Sequence, residues 1–295
     1  IALMIVVNDP GSWEHLYWPL AHAPWHGITI TDFVFPFFIF IVGVSVVLSS
    51  SKQIAAGADK KKMKKKIVIR SLKIFGLGLL LSLFPEFNFM ELRIPGVLQR
   101  IAIVYLVCAL IGLSTNWKSQ LKIGIFLLVG YWLAMMLIPV PGIGAGILEP
   151  GKNLAAWIDS IAIPLRLYQG TWDPEGLLST LPSIATGISG MLAGHLLKND
   201  MEIEKKLNYL FFIGFSCVLI GYTWDLVFPI NKDLWSSSFV MFTSGWAYMA
   251  FAACILIVDV HGYKKMAKFG IIYGSNAITI YVFAGMFPVS VSYTH

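Results

Sequence analysis

The segment TITDFVFPFFIFIVGVSVVL, residues 29–48, decides the fold class of this protein. Its only charged side chain is Asp32, and the segment is about as long as the 20 residues that a helix needs to cross the hydrocarbon core of a bilayer. Backbone polar groups in lipid must be satisfied within the segment itself, so an apolar run of this length predicts a helix. The segment therefore predicts an α-helical membrane protein.

The composition extends this prediction to the whole chain. Of its 295 residues, 57% are hydrophobic and 13% are charged, and the mean hydropathy is +0.73. The charged share is about half that of an ordinary soluble domain. Further apolar segments lie at 1–7, 67–84, 95–114, 120–138, 177–197, 207–228, 236–258 and 268–287. We predict an all-α, polytopic transmembrane bundle that forms one domain over 1–295, with about nine spans, the first of them partial.

Two local features refine this prediction. Gly187, Gly190 and Gly194 repeat on one face of the segment 177–197, and small residues at this spacing indicate close packing between helices. The chain also begins inside the apolar run 1–7 and stops at Val291-Ser-Tyr-Thr-His295 without a polar tail. We therefore expect a longer protein, with chain missing at both ends.

The charges sort by loop. The loops 49–70, 115–122, 198–206 and 259–268 hold 16 Lys or Arg residues, whereas the alternate loops 8–28, 85–94, 139–176 and 229–235 hold 4. The positive-inside rule places the first set in the cytoplasm and the second set outside, in a membrane that we expect to be a bacterial inner membrane. Because most of the net charge of +6 lies in the loop 49–70, it reports topology and does not indicate a nucleic-acid partner.

The external loop 8–28 is rich in histidine. It holds His15, His22 and His26, half of the six histidines of the chain. A neutral imidazole can take a proton from a nucleophile near neutral pH or accept an acyl group itself. We expect no metal here, because Pro24 separates His22 from His26 and no glutamate follows the first histidine as in a zinc-protease helix. The residues alone leave open whether one of these histidines is catalytic.

Other polar residues are candidates for binding. Asp32 opens a span, either as a favourable charge at a helix N-terminus or as a functional group. Arg93 and Arg100, in RIPGVLQR, lie at a helix start, where arginine suits phosphate. Asp173 and Glu175 would hold sugar hydroxyls or an amine, or belong to an ordinary turn before a helix. Lys232, in NKDLW, and Asn276, in the last span, complete this set.

A set of motifs, in order along the chain, resembles the heparan-α-glucosaminide N-acetyltransferase family of membrane acyltransferases and its bacterial relatives. The matching strings are Val7-Asn8, HAPWHG (22–27), TDFVFPFFIF (31–40), RIPGVLQR (93–100), DPEGLL (173–178), NKDLWS (231–236) and GSN (274–276). The chain departs from the family pattern at two places. One is Asp9-Pro10, and the other is His26, which stands where the family commonly has asparagine.

The resemblance implies a bundle of about eleven membrane helices in the full-length protein. It implies transfer of acetyl from cytosolic acetyl-CoA, as a co-substrate, to the amino group of a glucosamine across the membrane. The family's catalytic histidine carries over to His22, and a conserved upstream asparagine to Asn8. Asp32 would orient His22, and Asn8 or loop N–H groups would stabilise the oxyanion.

The same resemblance implies a set of binding residues. Arg93 and Arg100 would hold the phosphates of CoA. The other residues expected to bind CoA or the acceptor are Trp25, His26, Asp173, Glu175, Lys232 and Asn276. The expected partners are the lipid bilayer and an amino sugar or glycan, with a homodimer as an open alternative.

Two other functions remain compatible with the sequence. Polar residues within spans and broken helices also suit a carrier for sugars or amino sugars that performs no bond chemistry. A non-catalytic membrane scaffold is the third alternative. The His22 loop together with two external arginines favours the acyltransferase, because a neutral sugar carrier has no need of a phosphate site.

Overall fold

The computed structural model of the chain describes residues 2–8 and 17–294. Within these residues the chain is helical and contains no β-strand. The α-helices are α1 (Ala2–Asn8), α2 (Val34–Ala55), α3 (Lys60–Leu83), α4 (Val97–Ser114), α5 (Trp117–Leu137), α6 (Leu154–Ala162), α7 (Thr180–Lys198), α8 (Ile203–Asp225), α9 (Ser237–Ile255), α10 (Lys264–Ser275) and α11 (Ala277–Thr294).

Five segments in the described part of the chain are long and apolar enough to cross a membrane: Ile30–Ala55, Val97–Ser114, Trp117–Leu137, Ile203–Asp225 and Ser237–Val260. Helices α3 and α7 also lie where spans are predicted. They are more polar, because α3 begins in the basic loop 49–70 and α7 carries several serines and threonines. The prediction of an all-α membrane bundle is confirmed, and the number of spans stays a prediction.

The predicted last span, 268–287, is two helices in the structure. Helices α10 and α11 meet at Asn276, whose φ of −111° and ψ of 22° are not helical. The Asn276 side-chain amide donates a hydrogen bond to the carbonyl oxygen of Ile272 at 3.1 Å, and the Ser275 hydroxyl donates to Ile271 at 2.8 Å. Such bonds from side chain to backbone compete with a continuing helix, so hydropathy alone does not predict the break.

Helices α2 and α7 form the centre of the bundle and approach through glycines. A Cβ added to Gly190 would overlap the carbonyl oxygen of Phe40, and one added to Gly43 would overlap that of Gly187. A Cβ on Gly194 would lie 3.0 Å from the Val47 side chain. Small residues let two backbones approach in a membrane, where packing rather than the hydrophobic effect holds helices together. The close packing predicted from these glycines is confirmed.

This contact predicts a stability difference between two glycine variants. Gly190→Ala forces α2 and α7 apart, because the group in its way is Phe40 backbone, and overpacking of this kind costs about 1–3 kcal/mol. In Gly130→Ala the new Cβ meets nothing within 4 Å on α5, so that variant has only the helix-propensity gain of about 1 kcal/mol. We expect thermal unfolding in detergent to occur at a lower temperature for Gly190→Ala and at an unchanged or higher temperature for Gly130→Ala. Equal shifts would show that the α2–α7 contact adapts without cost.

The two ends of the bundle differ in chemistry. At the end that we call the His22 end lie the segment 17–33, the start of α4, and the loops 163–179 and 226–236. At the opposite end, the basic end, α2 finishes and α3 begins with the lysines of the loop 49–70. The backbone N–H of Gly27 donates to the Ile230 carbonyl at 2.8 Å, and this bond ties two distant loops together at the His22 end.

Candidate active site

His22 forms a pair with Asp32 at the start of α2. The Nδ1 atom of His22 lies 2.6 Å from Oδ1 of Asp32. The imidazole is 44% exposed, whereas the Asp32 side chain is 1% exposed. An ionised carboxylate only accepts hydrogen bonds, so the proton between these atoms belongs to Nδ1. The other ring nitrogen, Nε2, is then the unprotonated one, and it can accept a proton or attack an acyl group.

Backbone and hydroxyl donors hold Asp32 in place. Its Oδ2 atom accepts from the backbone N–H of Thr29 at 3.0 Å, from the Thr29 hydroxyl at 3.1 Å and from the N–H of Ala23 at 3.2 Å. Donors of this kind favour the ionised carboxylate. One oxygen of Asp32 thus stabilises the start of the helical segment and the other contacts His22. The functional role of Asp32 stays a prediction.

Lys232 lies against the same pair, although it is 210 residues from His22 in the chain. Its Nζ atom is 2.9 Å from Nδ1 and 3.3 Å from Nε2 of His22, and 3.5 Å from Oδ1 of Asp32. The closer contact, with Nδ1, is not a hydrogen bond, because Nδ1 carries the proton directed at Asp32 and an ammonium has no acceptor. Nε2 is the ring atom that can accept from Lys232, and it has to lose that contact before it reacts. Lys232 thus balances the charge of Asp32 beside the reactive nitrogen.

The loop 226–236 that carries Lys232 is held by its own polar groups. The Asn231 side-chain oxygen accepts from the N–H of Leu234 at 2.8 Å, and the Asn231 N–H donates to the Ser236 hydroxyl at 3.0 Å. The Tyr131 hydroxyl donates to the Leu234 carbonyl at 2.6 Å. His26 contacts the same loop, with Nδ1 at 3.4 Å from Nδ2 of Asn231. Asn231 is fully buried, so the loop holds the backbone of Lys232 in a fixed position.

Asp233, the next residue, is a site residue that the sequence analysis missed. It is half-buried and interacts electrostatically with Lys232, Glu175, Asp32 and His22. Burial raises the pKa of its carboxyl to about 6. The signal in the sequence is its place beside Lys232 in NKDLW, but an acid beside a lysine is also an ordinary surface pattern, so the signal is weak without the fold.

Arg93, Asp173 and Glu175 are brought together at the His22 end as one another's partners. The Arg93 guanidinium donates to Asp173 Oδ2 at 2.7 Å and to Oδ1 at 2.6 Å, and a further bond goes to Glu175. It also lies 4.7 Å above the ring of Tyr168. Burial opposes the charge, but these two carboxylates hold the pKa of Arg93 above its usual value. The guanidinium is therefore occupied within the protein.

Arg100 lies one helical turn inside the start of α4 and is buried, with 1% exposure. It donates to the Ser179 hydroxyl and, at 3.4 Å, to the Gly176 carbonyl, and it lies 5.0 Å from the Trp235 ring centre. Its Nε and Nη1 atoms have no hydrogen-bond partner among the described residues. Unpaired buried donors are costly, so these two are suited to an acceptor on a bound molecule.

The remaining predicted site residues are spread more widely. Trp25 donates from Nε1 to the Leu148 carbonyl at 2.9 Å and packs edge-on against Trp172, with ring centres 5.1 Å apart. Asn276 lies at the α10–α11 junction, where no contact joins it to His22. Asn8 ends α1, but its side chain falls outside the described part of the chain, as does all of His15.

A cavity with a volume of about 550 Å³ lies towards the basic end between α2, α3, α4 and the α10–α11 junction. Along α2 it extends from Phe38 to Gln53, which is roughly 22 Å at the helical rise per residue. Lys66 and Arg70 line it, and the Arg70 guanidinium lies 5.2 Å from the ring centre of Tyr105.

The charge pattern predicts a topological role for the loop 49–70 and does not predict this cavity. The signal was the polar spacing on α2, where Ser45, Ser49 and Gln53 follow one another at intervals of four residues and therefore share one helix face. That face lines the cavity. Among the residues that the structure describes, no group of three His, Cys, Asp or Glu side chains is arranged to hold a metal ion.

Comparison of the sequence with known proteins finds a matching family. A family model described as "Heparan-alpha-glucosaminide N-acetyltransferase, catalytic" matches residues 2–221. Two curated proteins named heparan-alpha-glucosaminide N-acetyltransferase are similar to this chain. The human protein is 30% identical over 352 aligned positions, which cover 98% of this chain and 52% of the relative. The mouse protein is 30% identical over 342 positions, covering 96% and 51%. The chain thus spans about half the length of the curated relatives it matches.

Proposed function

Because this chain belongs to the heparan-α-glucosaminide N-acetyltransferase family, we propose that it is a membrane-embedded acyltransferase that moves acetyl from acetyl-CoA to the amino group of a glucosamine-type sugar. The observation that carries the proposal is the contact of 2.6 Å between His22 and the buried Asp32. This pair leaves Nε2 unprotonated on an exposed ring, and acyl transfer needs such a nitrogen.

His22 has two possible roles in this reaction, and Asp32 supports both. As a general base, Nε2 takes a proton from the amine while the amine attacks the thioester. As a nucleophile, Nε2 forms a bond to the acetyl carbon, the C–S bond breaks, and CoA leaves as a thiolate. In either case the ring becomes positively charged, and the Asp32 carboxylate at Nδ1 stabilises that charge.

The cavity towards the basic end supports access of the donor from that end. We place this end in the cytoplasm, since its loops carry most of the lysines. Lys66 and Arg70 would bind the phosphates of CoA there. The cavity then leads along α2 to Phe38, six residues or roughly 9 Å from Asp32. This proposal moves the phosphates away from Arg93, whose guanidinium is already paired with Asp173 and Glu175.

Arg100 keeps a part in the proposal. Its neighbour Ile101 lines the cavity towards the basic end. Arg100 itself contacts Trp235 in the loop that carries Lys232. Its two unpaired donors therefore belong to the first turn of α4, which runs from the His22 end to the residues that line the cavity. We assign them to an oxygen acceptor on the acyl-carrying arm of the donor.

Arg70→Gln tests the donor site. The variant removes a charge-assisted contact to phosphate, and contacts of this kind are worth about 1.5–3 kcal/mol. We expect the KM for acetyl-CoA to rise by roughly 10- to 100-fold, with little change in the KM for the acceptor. Lys65→Gln is the matched control, because Lys65 is exposed on the same helix and does not line the cavity. An equal rise in both variants would indicate general surface charge instead of a built site.

The function itself is tested with the full-length protein in sealed vesicles. Acetyl-labelled acetyl-CoA is supplied on the side of the basic loops and glucosamine on the other side, and the label in N-acetylglucosamine is measured. We expect labelled sugar on the glucosamine side. Uptake of unmodified glucosamine without label transfer would instead identify a carrier, and neither event would leave the scaffold as the remaining alternative.

A further inference from the structure

Three carboxylates, Asp32, Glu175 and Asp233, lie at the His22 end, and two of them are fully used. Asp32 gives one oxygen to His22 and Lys232 and the other to the donors of Thr29 and Ala23. Glu175 pairs with the Arg93 guanidinium. Neither carboxylate is free to receive a substrate without breaking a contact that holds the site together.

The third carboxylate, Asp233, is different. No hydrogen bond reaches its side chain from the part of the chain that the structure describes, yet it is half-buried and next to Lys232. The charged and titratable groups around it are Lys232, Glu175, Asp32 and His22. Lys232 is balanced by Asp32, and the two carboxylates Asp173 and Glu175 are balanced by the two guanidiniums of Arg93 and Arg100, so Asp233 is the carboxylate left without a balancing cation. The site therefore carries surplus negative charge, which complements a cation.

We propose that Asp233 binds the ammonium group of the acceptor and takes its first proton. This inference rests on the proposed acetyl transfer and adds to it a second base. A protonated amine has no electron pair for attack, so its proton must leave before the new bond forms. Asp233 follows Lys232, whose ammonium lies 3.3 Å from Nε2 of His22, and it interacts electrostatically with both residues. This is the region that an amine must reach in order to attack.

The proton balance follows from this assignment. An N–H bond of the ammonium breaks, an O–H bond forms on Asp233, and the electron pair stays on nitrogen. The amine then attacks the acetyl carbon, a C–N bond forms, and the leaving group is the CoA thiolate or, if His22 is acetylated, its Nε2. The second amine proton goes to that leaving group, and Asp233 releases its proton to solvent. His22 is thereby free to carry acetyl.

The electrostatic environment supports this role. Burial raises the pKa of Asp233 to about 6, although the cations Lys232 and, when protonated, His22 act in the opposite direction. Asp233 is thus a stronger base than an ordinary carboxyl group but is still mostly ionised at pH 7. As the pH falls through about 6, Asp233 gains a proton and loses its attraction for the ammonium, so the kcat/KM for the acceptor should fall in that range.

The test compares Asp233→Asn, Asp233→Glu and the wild type as full-length proteins in vesicles. We expect Asp233→Asn to lower the kcat/KM for glucosamine by about 10²–10⁴-fold, the usual contribution of a general base. The KM for acetyl-CoA should stay within about twofold, since contacts to the donor are not touched. Asp233→Glu should restore part of the activity, and the fall in kcat/KM near pH 6 should weaken in Asp233→Asn. Glu149→Gln is the control, since Glu149 is exposed and its side chain pairs with Lys152 at the surface.

The outcomes separate the two proposals. If the wild type acetylates glucosamine and Asp233→Asn keeps its acceptor kcat/KM and its pH profile, the inference about Asp233 is wrong and the function stands. If the wild type transfers no acetyl, both proposals fail. If Asp233→Asn does not fold, as judged by thermal unfolding, Asp233→Glu decides, because its longer carboxyl should shift the acceptor KM and pH profile but not the KM for acetyl-CoA.

Discussion

Replacing His22 with alanine is expected to lower the rate of acetyl transfer by about 10²–10⁴-fold, the range that a general base or a positioned nucleophile commonly contributes. The variant removes the only ring nitrogen that the Asp32 pair keeps unprotonated. It should leave the fold intact, because the His22 side chain is 44% exposed and fills no core position. The measurement is label transfer from acetyl-CoA to glucosamine, with thermal unfolding as the check on folding.

His26→Ala is the matched control for this experiment. Both histidines lie in the same loop and both are exposed, but His26 contacts Asn231 at 3.4 Å and has no carboxylate partner among the hydrogen bonds of the described residues. We expect His26→Ala to retain activity within about tenfold. Added imidazole should restore part of the rate to His22→Ala, because the vacated position is open to solvent. Full activity in His22→Ala would remove this residue from the mechanism.

Asp32→Asn is the second variant with a large expected effect, on the order of 10²-fold in kcat. The amide oxygen of the variant should face the Thr29 and Ala23 donors, which now bond to Oδ2. The NH₂ group then faces His22 and requires Nδ1 to accept a hydrogen bond. That arrangement moves the ring proton to Nε2, the nitrogen that has to be free for the reaction. The fold is retained while the tautomer is wrong.

A second helix-start aspartate provides the control for Asp32→Asn. Asp59 precedes α3 and accepts from the N–H of Lys61 at 2.9 Å, so Asp59→Asn repeats the loss of charge at a helix start. We expect both variants to change the unfolding temperature slightly and only Asp32→Asn to lower kcat. A similar kcat in both would mean that Asp32 stabilises the start of its helix and does nothing further for His22.

The positions of the apolar helices could be predicted from the sequence, but the breaks between helices could not. Hydropathy identified the regions that became α2, α4, α5, α8 and α9, since a membrane imposes an apolar length on each helix separately. The break at Asn276 was missed, because an asparagine that bonds to its own helix differs from a continuing helix only in local geometry. The spacing of Ser45 and Ser49 also predicts a polar face on α2. That this face lines a cavity follows only from the way α2 packs in the structure.

The class of fold and the loop that holds His22 follow from the sequence alone, because hydrophobic length and the residues of a short motif are properties of a local stretch of chain. The sequence also brings His22 near Asp32, since only ten residues separate them. The pairs whose members are distant in sequence follow from the tertiary structure alone. Lys232 is 210 residues from His22, and Asp173 is 80 residues from Arg93. Such pairs form because packed helices close long loops onto one end of the bundle, and no local pattern encodes which loops meet.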